Sequence, residues 1–147
     1  MIGRAPVRQL LSEGDEVKVI AAIRAAEAKT SGEIRVHVER RCAGNAMTAA
    51  GRWFRRLGMD ATKQRNGILF YVAADDRVFA VIGDAGINDH VGASFWNALR
   101  DAMGDAFAKG EPATGLILAI EEAGSRLAEH FPRRNDDRNE LSDEISY

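Results

Sequence analysis

Apolar residues recur with a helical period in one segment and a strand period in the next. Ser12 and Asp15 have the spacing of a capping box, and the Ala-rich stretch after them predicts a helix to about Lys29. Residues 33–40 alternate between apolar and polar side chains, which predicts a strand with one buried face. The apolar positions of the two segments are Val17, Ile20, Ala21, Ile23, Ile34, Val36 and Val38.

Two further apolar runs predict a β-hairpin. Residues 67–74 are almost continuously apolar, and residues 78–82 follow after a turn at Asp75-Asp76. Because both strands are apolar throughout, we expect the hairpin to form the centre of the sheet. A predicted helix at residues 46–57 connects the first strand to the second, and a helical connection favours a parallel pair.

The end of the chain predicts two more helices and a polar tail. The helices cover about residues 93–108 and the stretch from Pro112 to Phe131, and Pro132 ends the second. The order of elements predicts an α/β fold, a three-layer α/β/α sandwich around a small mixed central sheet. We expect one domain over residues 1–132 and a polar, acidic tail over residues 133–147 that contributes little to the core.

Composition narrows the class of protein. The chain has 147 residues and a net charge of −2, so no general attraction to nucleic acid or anionic membranes is expected. Cys42 is the only cysteine, which excludes an intramolecular disulfide and a Cys-based zinc site. The start of the chain lacks the apolar core of a signal peptide, and no apolar run is long enough to span a bilayer. We therefore expect a cytoplasmic protein without a nucleic-acid or membrane partner.

Oxygen-bearing side chains are predicted to meet at one edge of the sheet. With the first two strands parallel and the third antiparallel, the loops 58–66 and 83–91 both lie near Glu33. Carboxylate, amide and hydroxyl oxygens are the ligands that calcium and magnesium prefer. The two loops carry Asp60, Thr62, Asn66, Asp84, Asn88 and Asp89.

Other interpretations of these acidic residues remain open. Acidic loop residues are often solvated, and Asp89 has a position from which it could cap the helix beginning near Ala93. At the opposite edge, Glu39, Asp75 and Asp76 form a second acidic group, for which a turn role is sufficient. No nucleophile–base pair is recognisable, so catalytic residues cannot be named.

Five segments of the chain carry a recognisable set of motifs, namely residues 27–36, 57–67, 79–88, 130–132 and 139–145. Together they resemble the TPM-domain family, in particular its short stand-alone bacterial members. The family is named for a thylakoid-lumen phosphatase, a photosystem II accessory protein and a nematode receptor-assembly factor. The resemblance implies an α/β/α sandwich that binds divalent cations, often calcium, with a modest acid phosphatase activity in some relatives.

Our leading hypothesis is a divalent-cation site for calcium or magnesium. Its charged ligands are Glu33, Asp84 and Asp89, and its neutral ligands are Asn88 and Thr62. One alternative is a weak metal-dependent acid phosphatase in which Lys63 or Arg65 holds phosphate. Another is an interaction module whose acidic tail, residues 136–144, docks an unknown protein partner.

Overall fold

The computed structural model describes residues 11–133 and 141–147. Within these ranges, no helix combines the length and the hydrophobicity needed to cross a membrane. The elements are α1 (Glu13–Glu27), β1 (Glu33–Glu39), α2 (Ala46–Arg56), a 3-10 helix (Met59–Ala61), β2 (Gly67–Ala73), β3 (Val78–Gly83), α3 (Ala85–Asn88), α4 (Ala93–Ala108) and α5 (Pro112–His130).

The sheet has the strand order β1-β2-β3. β1 and β2 are parallel, with Glu33 opposite Gly67, and β2 and β3 are antiparallel, with Ile68 opposite Gly83. The parallel pair and the hairpin are thus confirmed. The expectation that the whole hairpin is central is wrong, because β1 takes the other side of β2 and leaves β3 at the edge.

Helices cover both faces of the sheet, which confirms the α/β/α sandwich. Val36 and Phe70 face a large core formed with α1, α4 and α5. Leu69 and Tyr71 point to the other face, where they pack against α2 and the 3-10 helix. β2 is buried along its whole length because it is central and covered on both faces.

Local sequence signals set the ends of several helices. Ser12 accepts a hydrogen bond from the backbone N–H of Asp15 at 3.1 Å, as the capping box predicts. Gly58 has a φ of 73° and ends α2 in the left-handed conformation that glycine adopts without strain. Pro112 lies in the first turn of α5. Asp89 does not cap α4, since the N-cap position belongs to Gly92.

Part of the C-terminal tail extends the sheet. Ser146 donates its N–H to the Val36 carbonyl at 2.9 Å, and the Val38 N–H donates to the Ser146 carbonyl at 2.8 Å. Ile145 is buried in the large core. The expectation that the tail contributes little to the core is therefore wrong for Ile145. The tail lies against β1 because the backbone groups on the outer edge of that strand require hydrogen-bond partners. Residues 136–140 of the predicted docking tail lie outside the described residues.

Candidate functional site

Backbone hydrogen bonds tie three segments together at the start of β1 and β2. The N–H of Glu33 donates to the carbonyl of Asn66 at 3.3 Å, and the N–H of Asp84 donates to the carbonyl of Gly67 at 3.0 Å. These contacts bring the loop before β2 and the segment after β3 to the same edge as Glu33. The convergence expected from the strand directions is confirmed.

The close approach of these loops depends on Gly86. Its N–H donates to the carbonyl of Arg65 at 2.9 Å. A Cβ atom at position 86 would lie 2.2 Å from the carbonyl oxygen of Gln64 and 2.6 Å from that of Arg65. Any residue other than glycine at position 86 would therefore push the segment after β3 away from the loop before β2.

Four polar side chains on these segments are buried, and we call them the oxygen-lined edge. They are Glu33, Thr62, Asn66 and Asp84. Two of their oxygens, Thr62 Oγ1 and Asn66 Oδ1, have no hydrogen-bond donor within the described part of the chain. A buried oxygen left without a donor costs about 1–3 kcal/mol, so such atoms usually have a water or an ion as partner.

The orientation of the Asn66 amide is set by its neighbours. Its nitrogen donates to Ser31 Oγ at 3.3 Å and to Gln64 Oε1 at 3.2 Å. Ser31 Oγ also donates to Gln64 Oε1 at 2.8 Å. Because the amide nitrogen has these two acceptors, the oxygen is the side that is left for a ligand.

Arg65 is bound to Asp84 in a bidentate pair. Arg65 Nε donates to Asp84 Oδ2 at 2.7 Å, and its terminal nitrogen donates to Oδ1 at 2.9 Å. Asp84 Oδ1 also accepts the N–H of Ala85 at 2.7 Å, which caps α3. The hydrogen bonds and charge of Asp84 raise the pKa of Arg65 above its ordinary value. The pair holds the carboxylate in one orientation.

Arg65 and Asp84 differ sharply in exposure and backbone geometry. The Asp84 side chain is 6% exposed, whereas that of Arg65 is 53% exposed. Arg65 has a φ of 51°, the left-handed conformation that is strained for residues with a Cβ. The buried carboxylate is thus paired with an arginine whose side chain is about half exposed to solvent.

The remaining two predicted ligands lie on the exposed rim of this edge. Asn88 ends α3 and donates its amide nitrogen to the Gly83 carbonyl at 3.3 Å, while Asp89 follows it as the C-cap. Both are exposed. In residues 11–133 and 141–147, no three His, Cys, Asp or Glu side chains form a group that could hold a metal ion. A cation at this edge would consequently need neutral oxygens as well as carboxylates.

A neighbouring acidic pair could not be foreseen from the sequence. Glu27 is buried at the end of α1, where its Oε2 accepts the N–H of Ile34 at 2.9 Å. Its pKa is raised, first by burial, then by the carboxyl of Asp143 and also by Glu33. Glu27 and Asp143 line a cavity of about 400 Å³ together with Arg24, Ala28 and Arg133. Only the folding of the tail onto α1 brings Asp143 to this place.

The acidic group at the opposite edge has structural roles. Asp76 Oδ2 accepts the N–H of Cys42 at 2.7 Å, and Glu39 accepts the hydroxyl of Tyr71. His37 is fully buried, with its ring centroid 3.7 Å from that of Trp53. The contacts of Asp76 and Glu39 show structural roles for this acidic group.

The sequence was compared with known protein families and with solved structures. The sequence matches the TPM domain over residues 7–126. The chain belongs to the TPM domain family. No protein of curated function matches it. The matched range contains all five predicted ligands, so the oxygen-lined edge and its rim are part of the TPM domain.

Solved structures with the same fold come from several bacteria. The BA42 protein of the psychrophilic bacterium Bizionia argentinensis is 42% identical, with a TM-score of 0.89 over 97% of this chain and 99% of that protein. The N-terminal domain of the cg2496 protein of Corynebacterium glutamicum is 17% identical, with a TM-score of 0.67 over 86% of each chain. An N-terminal domain from P. gingivalis is 20% identical, with a TM-score of 0.64 over 86% of this chain and 83% of that one. The last two show the TPM fold alone.

Proposed function

We propose that this TPM domain binds a divalent cation, calcium or magnesium, at the oxygen-lined edge. The observation that carries the proposal is the pair of buried oxygens without donors, Thr62 Oγ1 and Asn66 Oδ1. A cation would supply the positive partner that these two atoms need. It would be held by Glu33, Asp84, Thr62 and Asn66, with Asn88 and Asp89 at the rim.

The donor set has the chemistry of a hard-cation site. Calcium takes six to eight oxygen ligands and magnesium six, from carboxylates, amides, hydroxyls and water. The carboxylates of Glu33 and Asp84 would balance the charge of one divalent ion. When bound, the cation supplies electrostatic neutralisation of these carboxylates and links the loop before β2 to the segment after β3.

Binding is proposed in preference to phosphate-ester hydrolysis. The enzymatic alternative has less support, because no nucleophile–base pair is recognisable in the sequence. The docking-tail alternative has less support, since Leu141 and Asp143, which belong to that tail, contact their own domain. The cytoplasmic location stays a prediction.

Isothermal calorimetry with calcium and with magnesium tests the proposal. We expect binding by the unaltered chain and weaker binding by Thr62→Val, which removes one oxygen at nearly constant volume. Thr62→Val should also raise the stability of the cation-free protein, because the buried hydroxyl has no donor within the described residues. Thr48→Val, on the exposed side of α2, is the matched control.

Thermal unfolding gives an independent reading of the same question. A cation at a hundred times its dissociation constant stabilises a folded protein by roughly 2.7 kcal/mol when it binds only the native state. The absence of both binding heat and a shift in melting temperature at millimolar calcium and magnesium would show that the proposal is wrong.

A further inference from the structure

Arg65 is hydrogen-bonded to the carboxylate of Asp84, which the proposed cation would need as a ligand. An ionised carboxylate offers about four acceptor positions on its two oxygens. In Asp84, two are taken by the guanidinium of Arg65 and one by the N–H of Ala85. The carboxylate thus has little capacity left for a metal ion while the arginine is in place.

The geometry points to Arg65 as a built-in counter-ion that a divalent cation must displace from Asp84. This inference rests on the proposed function and adds to it the residue that sets the affinity. The guanidinium neutralises Asp84 in the cation-free protein, so the carboxylate does not have to be buried as an uncompensated charge. The same pairing weakens cation binding, because breaking it is part of the binding reaction.

The structure separates the fixed and the movable parts of Arg65. Its backbone is held by the hydrogen bond from its own N–H to the Thr62 carbonyl, at 3.3 Å, and by the one that its carbonyl accepts from Gly86. Its side chain is more than half exposed. The guanidinium can therefore move into solvent without rearrangement of the loop.

Asp84 stays in position when the arginine leaves. Its Oδ1 keeps the hydrogen bond from the N–H of Ala85, and its backbone N–H keeps the one to Gly67. Exchange of partners at Asp84 is thus a local event in which a metal ion takes the place of a guanidinium.

Arg65→Gln and Arg65→Lys test this inference, with Arg77→Gln as control. Arg77 is an exposed arginine that has the same left-handed backbone conformation, with a φ of 54°, in the turn at the opposite edge. Arg77→Gln removes one positive charge, as Arg65→Gln does, so the two variants have the same net charge. Calorimetry with calcium and magnesium is run on all four proteins.

We expect Arg65→Gln to bind about fivefold more tightly than the unaltered chain, which corresponds to loss of one half-exposed ion pair. Arg65→Lys should fall between the two, and Arg77→Gln should match the unaltered chain. The cation-free Arg65→Gln protein should melt at a lower temperature, and the cation should raise its melting temperature by a larger amount. A purely structural role for Arg65 would instead weaken binding together with stability.

NMR of the Arg65 Nε–H signal gives a direct readout. In the unaltered chain the signal should be protected from exchange without the cation and lose that protection on titration with calcium. Retained protection at saturation, or equal or weaker binding by Arg65→Gln, would overturn the counter-ion role while leaving the cation site intact. Absence of binding by both the unaltered chain and Arg65→Gln would overturn the site and the counter-ion role together. Binding by Arg65→Gln alone would support the counter-ion role and show that the unaltered chain does not bind the cation.

Discussion

The hydroxyl of Ser146 lies 2.9 Å from Nδ1 of His37, at the point where the C-terminal segment pairs with β1. The imidazole is stacked against Trp53 and is fully buried. Burial lowers the pKa of His37 to about 4, and the opposing effect of Glu39 is smaller. The histidine is therefore neutral in the folded protein at physiological pH.

Stability should fall in acid because of His37. The pKa of His37 is about 4 in the folded protein and 6.5 in an unfolded chain, so the unfolded state binds more protons between these two pH values. The stabilising contribution is complete above pH 6.5 and is lost as pH falls toward 4, with a total of about 3 kcal/mol. Urea unfolding at several pH values should show a shallower pH dependence for His37→Gln. His130 is exposed at the end of α5, so His130→Gln should keep the pH dependence of the unaltered chain.

Ile145→Ala should destabilise the domain by about 2 kcal/mol, because it removes a buried aliphatic side chain from the core. Glu144→Ala is the control, since that side chain is exposed. Equilibrium urea unfolding measures both. Equal stability of Ile145→Ala and Glu144→Ala would show that the tail does not contribute to the core in solution.

Gly86→Ala should cost more than about 2 kcal/mol, because the new Cβ would collide with the backbone of Gln64 and Arg65. Gly104→Ala should have the opposite effect. The nearest atom to a Cβ there is 3.8 Å away, in Phe79, and alanine in a helix is favoured over glycine by about 0.5–1 kcal/mol. Thermal unfolding measures the stability of both variants. Gly86→Ala tests a position where two backbone segments are in close contact, and Gly104→Ala tests a helix position with open space around it.

Cation binding should slow amide hydrogen exchange in residues 58–66 and 83–91. The bound ion would link the loop before β2 to the segment after β3 and so oppose the local opening of both. Asp84→Ala should abolish the slowing, whereas Asp76→Ala at the opposite edge should preserve it. Equal exchange with and without calcium in the unaltered chain would contradict this expectation, and a larger effect of Asp76→Ala would place the site at the other edge.

The sequence was sufficient for features that depend on local pattern and chain direction. Periodicity predicted the strands, and the helical connection predicted the parallel β1–β2 pair, from which the meeting of the loops near Glu33 follows. The Arg65–Asp84 pair was missed because a charge pair between loops depends on side-chain positions that no spacing encodes. Ile145 was missed because a single apolar residue within a polar stretch has no periodicity.

The pairing of Ser146 with β1 makes the two edges of the sheet unequal. One edge is occupied near Val36 and Val38 by the chain itself, while no described residue pairs with the outer side of β3. An open edge strand is a template for pairing with another chain. The C-terminal segment thus occupies backbone groups on the outer side of β1 that would otherwise be available to a second chain, and it leaves β3 as the less protected edge.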